Sequence, residues 1–129
     1  MKKKGVLNAQ LCRVIAEMGH NDLLLIADAG LPIPQEIERI DLALVNNKPL
    51  FKDVFKAVYN ELTIQTAYMA VEVKEKNPQA LKVVQKKIAN LDFISHEELK
   101  EKSHHVKAII RTGECTPYAN VILVSGVIF

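Results

Sequence analysis

Tryptophan is absent from this 129-residue chain, and aromatic residues together make up 5% of it. That leaves little material for base-stacking platforms or for lectin surfaces that lay rings against sugars. Cysteine is nearly as scarce. Cys12 and Cys115 are the only two, with no CxxC pair, so there is no disulfide framework and no paired-thiol motif. Five glycines and five prolines exclude a collagenous or low-complexity chain. No apolar run approaches the roughly 18 residues a membrane-spanning helix needs. An excess of one charge is also missing: 17 basic against 15 acidic side chains leave +2, far from the balance of a dedicated nucleic-acid binder.

What is present is ordinary globular material. Hydrophobic residues make up 49% and charged residues 25%, which excludes disorder. The length argues for a single domain over residues 1–129, because two would average only about 65 residues each. A chain of this size hides roughly two-thirds of its unfolded surface, enough for a real core. Lys2, Lys3 and Lys4 are followed by Gly5 and Asn8 rather than by an apolar segment, so they read as a solvated terminus and not a targeting signal. With no export signal and two lone cysteines, the expected location is cytoplasmic.

Hydrophobic periodicity divides the chain into alternating helices and short strands. Leu11, Val14, Ile15 and Met18 line one helical face, with Asn8 as N-cap and Gly19 as a left-handed C-terminal cap. Leu23 to Ala27 is an unbroken apolar run of the length of a buried parallel strand. Asp28-Ala29-Gly30 ends it, and Leu31-Pro32-Ile33-Pro34 is an extended loop. Ile40 to Val45 reads as a second strand, and Pro49 opens a helix with Phe51, Val54, Phe55 and Val58 inward. Leu62 to Val73 reads as a third strand. Asn77-Pro78 opens a helix with Leu81, Val84, Ile88 and Leu91 inward, and Ser95 with Glu98 forms a capping box that puts His96 in a first helical turn. Val106 to Ile110 and Val121 to Val124 complete the strands. The pattern predicts an α/β domain with a mainly parallel central sheet and helices on both faces.

Ligands of open α/β sheets gather outside the carboxyl ends of strands, which directs attention to Asp28. His20 sits on the turn entering the same strand, so the two residues belong at opposite ends, roughly 25 Å apart at about 3.3 Å per residue. A folded-back loop or a residue from a neighbouring subunit would reconcile them. Each also has a plain structural reading: Asp28 as a turn former before Gly30, His20 as a polar residue beyond a helix end. His96 reads equally as a solvated first-turn residue, and His104 and His105 as surface cations closing a helix. No histidine or cysteine pair has CxxC or HExxH spacing, so no metal is expected, and Cys115 reads as an inert thiol. The phosphate-cradling glycine motifs are missing, so no nucleotide cofactor is expected either. The polar segment Arg111 to Asn120 between two apolar strands is the kind of loop that carries a binding site.

Four motifs stand in order along the chain: Gly19-His20-Asn21-Asp22, Asp28-Ala29-Gly30-Leu31-Pro32-Ile33-Pro34, Arg39-Ile40-Asp41-Leu42-Ala43-Leu44, and Gly113 to Asn120 reading Gly-Glu-Cys-Thr-Pro-Tyr-Ala-Asn. Together they resemble the D-ribose pyranase family over essentially the whole chain. The sister L-fucose mutarotases share the Gly-His and Asp-Ala elements, but their last loop typically reads Gly-Glu-Arg-Ala-Lys-Tyr-Gly-Asn. The resemblance implies interconversion of the pyranose and furanose forms of D-ribose without a cofactor, supplying sugar to a kinase. It implies His20 as proton donor, Asp28 and His96 as sugar-binding residues, and Tyr118, Ala119 and Asn120 as the binding loop. It also implies pentameric rings stacked into homodecamers, with sites near subunit contacts; the charge balance and the absence of a long apolar run already leave neither nucleic acid nor membrane as an expected partner. The apolar end, Gly126-Val127-Ile128-Phe129, suits burial in such an interface, or else an edge strand.

The residue types suit that chemistry. Opening a hemiacetal needs one proton removed and one delivered, and imidazole ordinarily titrates near pH 6.5, so it serves both directions. A non-catalytic sugar-binding accessory of ribose uptake would use the same pocket, as would a mutarotase of L-fucose. The histidine separates the first of these, because binding alone needs no proton donor.

Overall fold

A computed structural model describes all 129 residues. Six strands form one sheet: β1 (Leu23–Ala27), β2 (Glu38–Asp41), β3 (Ile64–Ala70), β4 (Leu91–Ile94), β5 (Ala108–Arg111) and β6 (Val121–Ser125), in the order β2-β5-β1-β6-β3-β4. The pairs β2–β5, β5–β1 and β3–β4 are parallel, while β6 is antiparallel to both neighbours, β1 and β3. Five strands therefore run one way and β6 alone runs back. The mainly parallel α/β sheet expected from the sequence is what forms.

Side-chain alternation along these strands feeds two cores of unequal size. Leu24, Ile26, Ala108, Ile110, Val121 and Leu123 face the larger one, which is closed by α1 (Ala9–Glu17), α2 (Phe51–Tyr59) and α4 (Pro78–Gln85) through Leu11, Val14, Phe51, Phe55, Leu81 and Val84. Leu25, Ala27, Ile109 and Ile122 face the smaller one, closed by Leu31, Val106 and Leu99 of α5 (His96–Lys102). Helices thus lie on both faces, though one face carries most of the apolar burial, at about 1.5–3 kcal/mol for each large side chain fully removed from water. Helix starts follow the residues the sequence offers. Asn8 Oδ1 accepts the Leu11 N–H at 2.9 Å, Asn77 Oδ1 that of Ala80 at 3.1 Å, and Ser95 Oγ that of Glu98 at 3.1 Å.

Four expectations are corrected. The first helix ends at Met18 in extended conformation, and the left-handed residue of the following turn is Asn21 (φ 69°) rather than Gly19. Asn tolerates that region better than most residues, so the glycine is not required there. The second strand is Glu38–Asp41, because Asp41 Oδ1 takes the Ala43 N–H and turns the chain. The third strand is Ile64–Ala70: Leu62 still bonds back to α2 through Val58 O, and Val73 begins a short helix, α3 (Val73–Lys76). Leu91 belongs to β4 rather than to the preceding helix, which stops at Gln85. Its spacing from Val84 and Ile88 continues the helical period by coincidence. The remaining strands shift little, β5 falling at Ala108–Arg111 rather than 106–110.

Gly113 is a glycine the fold cannot exchange, because backbone lies against it. A Cβ there would lie 2.6 Å from the backbone N and C of Lys48, whose loop also receives the Gly113 N–H through Pro49 O at 2.8 Å. At Gly19 the nearest atom to a Cβ is Asp22 Oδ2 at 3.5 Å, an ordinary contact. Gly113→Ala is expected to cost about 1–3 kcal/mol by urea unfolding and Gly19→Ala less than about 0.5 kcal/mol. Equal costs would contradict the close approach.

Candidate functional site

The carboxyl ends of β1, β4 and β5 and the leading end of the reversed β6 meet at one edge of the sheet. Because β1 lies between β5 and β6, the segment 112–120 joining them must cross over the end of β1. It is tied down as it crosses. Thr112 donates to Ala27 O through both its N–H (3.0 Å) and its hydroxyl (2.8 Å), and the Ala29 N–H donates to Glu114 O at 2.8 Å. Asn47 Oδ1 accepts the Cys115 N–H at 3.0 Å.

The strap and the strand end then lock through one reciprocal pair. The Asp28 N–H donates to Asn120 Oδ1 at 2.8 Å, and Asn120 Nδ2 donates back to Asp28 Oδ2 at 2.9 Å. The Gly30 N–H donates to Asp28 Oδ1 at 2.9 Å. A carboxylate has about four acceptor positions, so these two bonds orient Asp28 and leave about half its capacity for a ligand. Asn120 is 1% exposed, its side chain spent on that task.

A cavity of about 590 Å³ opens here, lined by Asp28 to Pro32, His96, Lys100 and Glu114 to Tyr118. His96 begins α5, where its N–H is accepted by Glu72 Oε1 at 3.3 Å. Its ring meets that of Tyr118 edge-on, centroids 5.0 Å apart, and Tyr118 is held at φ 60°. The three buried side-chain polar atoms without a hydrogen-bond partner, His96 Nδ1, Glu72 Oε2 and Glu114 Oε2, belong to residues of this wall or to its immediate support. Unsatisfied buried polar groups concentrate where a fold has a job other than stability. Lys100, Glu114, Cys115 and Thr116 are cavity residues that sequence reasoning did not single out as ligands, although all but Lys100 lie in the polar loop it flagged.

Of the residues expected in the site, Asp28, His96 and Tyr118 come together at the cavity. Asn120 stands behind Asp28, and Ala119 is fully buried in the larger core, so it offers a ligand at most its backbone. His20 is elsewhere. It stands at the other end of β1, on the order of 15 Å of strand away at about 3.3 Å per residue. There its Nε2 lies 3.0 Å from Gln65 Oε1, and Gln65 Nε2 donates to Asn21 Oδ1 at 2.8 Å. Gln65 thus presents a carbonyl to Nε2, which carries the proton of the neutral ring and leaves Nδ1 as its acceptor. The turn is braced by Asp22, whose Oδ2 accepts the Gly19 N–H at 2.8 Å and the Lys107 ammonium at 3.1 Å. The Gly19 N–H, and after it Lys107, hold the Asp22 carboxyl below its ordinary range. That brace is present above the ordinary carboxylate range and is lost only as pH falls through the depressed value.

Comparison with known proteins gives the family of the chain. The model of the RbsD / FucU transport protein family matches residues 1–128. The chain belongs to that family. It is 51% identical to a D-ribose pyranase of Clostridium tetani and 50% identical to one of Exiguobacterium sibiricum, each alignment covering all of both chains. Among solved structures, that of Bacillus subtilis RbsD complexed with D-ribose superposes with a TM-score of 0.96 at 41% identity, again over the full length of both. The Streptococcus pneumoniae fucose mutarotase in complex with L-fucose superposes at 0.81 with 23% identity over 95% of each chain, a likeness of fold.

Within this family fold, the Asp28–Asn120 pair is the element that orients the carboxylate. Asn120→Ala removes one donor and one acceptor from partly buried partners, and is expected to cost about 1–3 kcal/mol by urea unfolding. An unchanged midpoint would show that the pair does not hold the strap.

Proposed function

We propose that this chain interconverts the pyranose and furanose forms of D-ribose by opening the hemiacetal ring and reclosing it through a different hydroxyl. The observation that carries this reading is the cavity edge itself. It presents an oriented, half-occupied carboxylate beside an imidazole and a phenol, in a chain 41% identical throughout to a protein whose structure holds D-ribose. Asp28 accepts sugar hydroxyls through charge-assisted bonds, and His96 and Tyr118 contact the ring from the opposite wall. His20, protonated at Nδ1, delivers that proton to the ring oxygen as the bond from that oxygen to the anomeric carbon breaks and the anomeric hydroxyl gives its own proton to a solvent water. A different hydroxyl then adds to the aldehyde carbon and gives its proton to the neutral imidazole, while the water returns the first proton to the aldehyde oxygen, which becomes the new anomeric hydroxyl. Nothing is oxidised or reduced and no group leaves, so no cofactor has a role. The work belongs in the cytoplasm, and no helix of the chain is long and apolar enough to cross a membrane.

This chemistry needs His20 at the cavity, and one copy of the chain keeps them apart. A second copy supplies the missing half. Two apolar patches support a head-to-tail contact that would deliver it. Val127, Ile128 and Phe129, outside any strand, are 38%, 92% and 100% exposed beyond β6, and the Ser125 carbonyl at its end accepts the N–H of Asn21 in the His20 turn. Leu44 and Val45, 80% and 59% exposed, flank a cleft that shares Ala29 and Cys115 with the cavity. Contacts between unlike patches make rings when the rotation between copies closes, and stacked pentamers are the rings this reading takes.

Saturation-transfer NMR on D-ribose is expected to show the protein accelerating exchange between pyranose and furanose signals. His20→Ala should abolish exchange while keeping the fold, the sedimentation coefficient and most of the sugar affinity, since proton transfer matters in the transition state. Asp28→Asn should instead lower affinity by about one to two decades in calorimetric titration. Binding without exchange by the unaltered protein would overturn the reading in favour of a sugar-binding accessory.

A further inference from the structure

We infer that Asn77, which lies outside the cavity, is a positioning residue that sets the place of Tyr118 in the site. The inference rests on the ribose-site reading for its functional consequence, but its geometry is independent of the substrate.

Asn77 is a buried polar residue, 8% exposed, standing between α3 and α4. Every polar atom of its side chain is used. Its Oδ1 caps α4 by accepting the Ala80 N–H, and Nδ2 points the other way, donating to Thr116 Oγ1 and Pro117 O, both at 2.8 Å. The two donor bonds reach across some forty residues of sequence to the strap. The Thr116 hydroxyl in turn donates to Glu114 Oε1 at 3.1 Å, so the Asn77 amide anchors a chain of hydrogen bonds along the cavity wall.

The bond to Pro117 O is the one with consequences for the site. That carbonyl belongs to the peptide plane preceding Tyr118, and the orientation of this plane enters directly into Tyr118 φ. Tyr118 lies at φ 60°, a region an aromatic residue occupies only when its surroundings impose it. There the ring stands edge-on to His96. Asn77 is thus the external clamp on a strained peptide whose release would carry the phenol away from the imidazole. Capping needs only an acceptor, whereas clamping needs the amide N–H₂ at full length. The two tasks therefore separate by substitution.

Asn77→Ser keeps a capping oxygen and loses both amide N–H donors, and its single hydroxyl hydrogen sits on a side chain too short to bond Thr116 and Pro117 together. Asn77→Asp keeps the shape and the cap, and its carboxylate has no hydrogen to donate. With 3-fluorotyrosine incorporated, the protein gives one ¹⁹F resonance for each of Tyr59, Tyr68 and Tyr118, assigned with Tyr118→Phe. Both variants are expected to fold with a lowered thermal midpoint and to shift or broaden the Tyr118 resonance alone. They should raise KM for ribose exchange about ten-fold with a smaller change in kcat, the pattern of lost binding contacts. Asn77→Ala, which also loses the cap, should lower the midpoint further. An unmoved Tyr118 resonance with unchanged KM in either folded variant overturns the inference. A displaced Tyr118 resonance in a protein that shows no exchange even unaltered would sustain the positioning role and sink the proposed reaction instead.

Discussion

The reversal of one strand is the constraint on which the rest of this molecule depends. Five strands run in one direction, and β6 runs back between β1 and β3. A strand entering from the carboxyl edge must be led there by its own connection, and that connection, 112–120, becomes the strap over Asp28. The same strand must leave at the opposite edge, beside His20, and there it releases the apolar residues 126–129. One topological choice thus builds the cavity wall at one end of the sheet and leaves exposed apolar residues at the other.

The hydrogen bonds follow from that arrangement. Strap residues cannot pair as a strand with β1, since they cross its end, so the strap is tied down bond by bond: Thr112 and Asn120 reach out to Ala27 and Asp28, and Asn47 and Asn77 reach in to Cys115 and Pro117. Each such bond also fixes a piece of the cavity. Asn120 orients the carboxylate, Asn77 holds the peptide before Tyr118, and Gly113 lets the strap lie directly on the Lys48 backbone. The polar residues of this loop serve architecture first, and the cavity inherits its shape from them.

Much of this was legible in the sequence and some was not, for physical reasons. Caps at Asn8, Asn77 and Ser95 were readable because a short polar side chain before an apolar helical face has few other uses. The run Leu23–Ala27 was readable because only a strand covered on both faces tolerates unbroken apolar sequence. β4 was hidden because Leu91 sits at helical spacing from Val84 and Ile88. Strand order, and with it the crossing of β1 by the strap, is a property of long-range pairing that no local pattern encodes. At the site, Asp28 stood out by ending a buried strand, and Asp28, His96 and Tyr118 do converge. The separation of His20 from them was foreseeable from strand length alone. The separate duties of Asn120 and Asn77 were not, because an asparagine looks the same in sequence whether it faces a sugar or a neighbouring peptide.

The claim most exposed to test is that catalysis needs His20 from one copy and Asp28 from another. His20→Ala and Asp28→Ala chains, each inactive alone, can be unfolded together, refolded as a mixture and assayed for ribose ring exchange by NMR. Composite sites predict recovered activity in the mixed assemblies, approaching about one quarter of the sites at equal proportions, since random neighbours restore one intact pair in four. If the mixture sediments as mixed oligomers and remains as inactive as its parents, each site lies within a single chain, and the composite site is refuted.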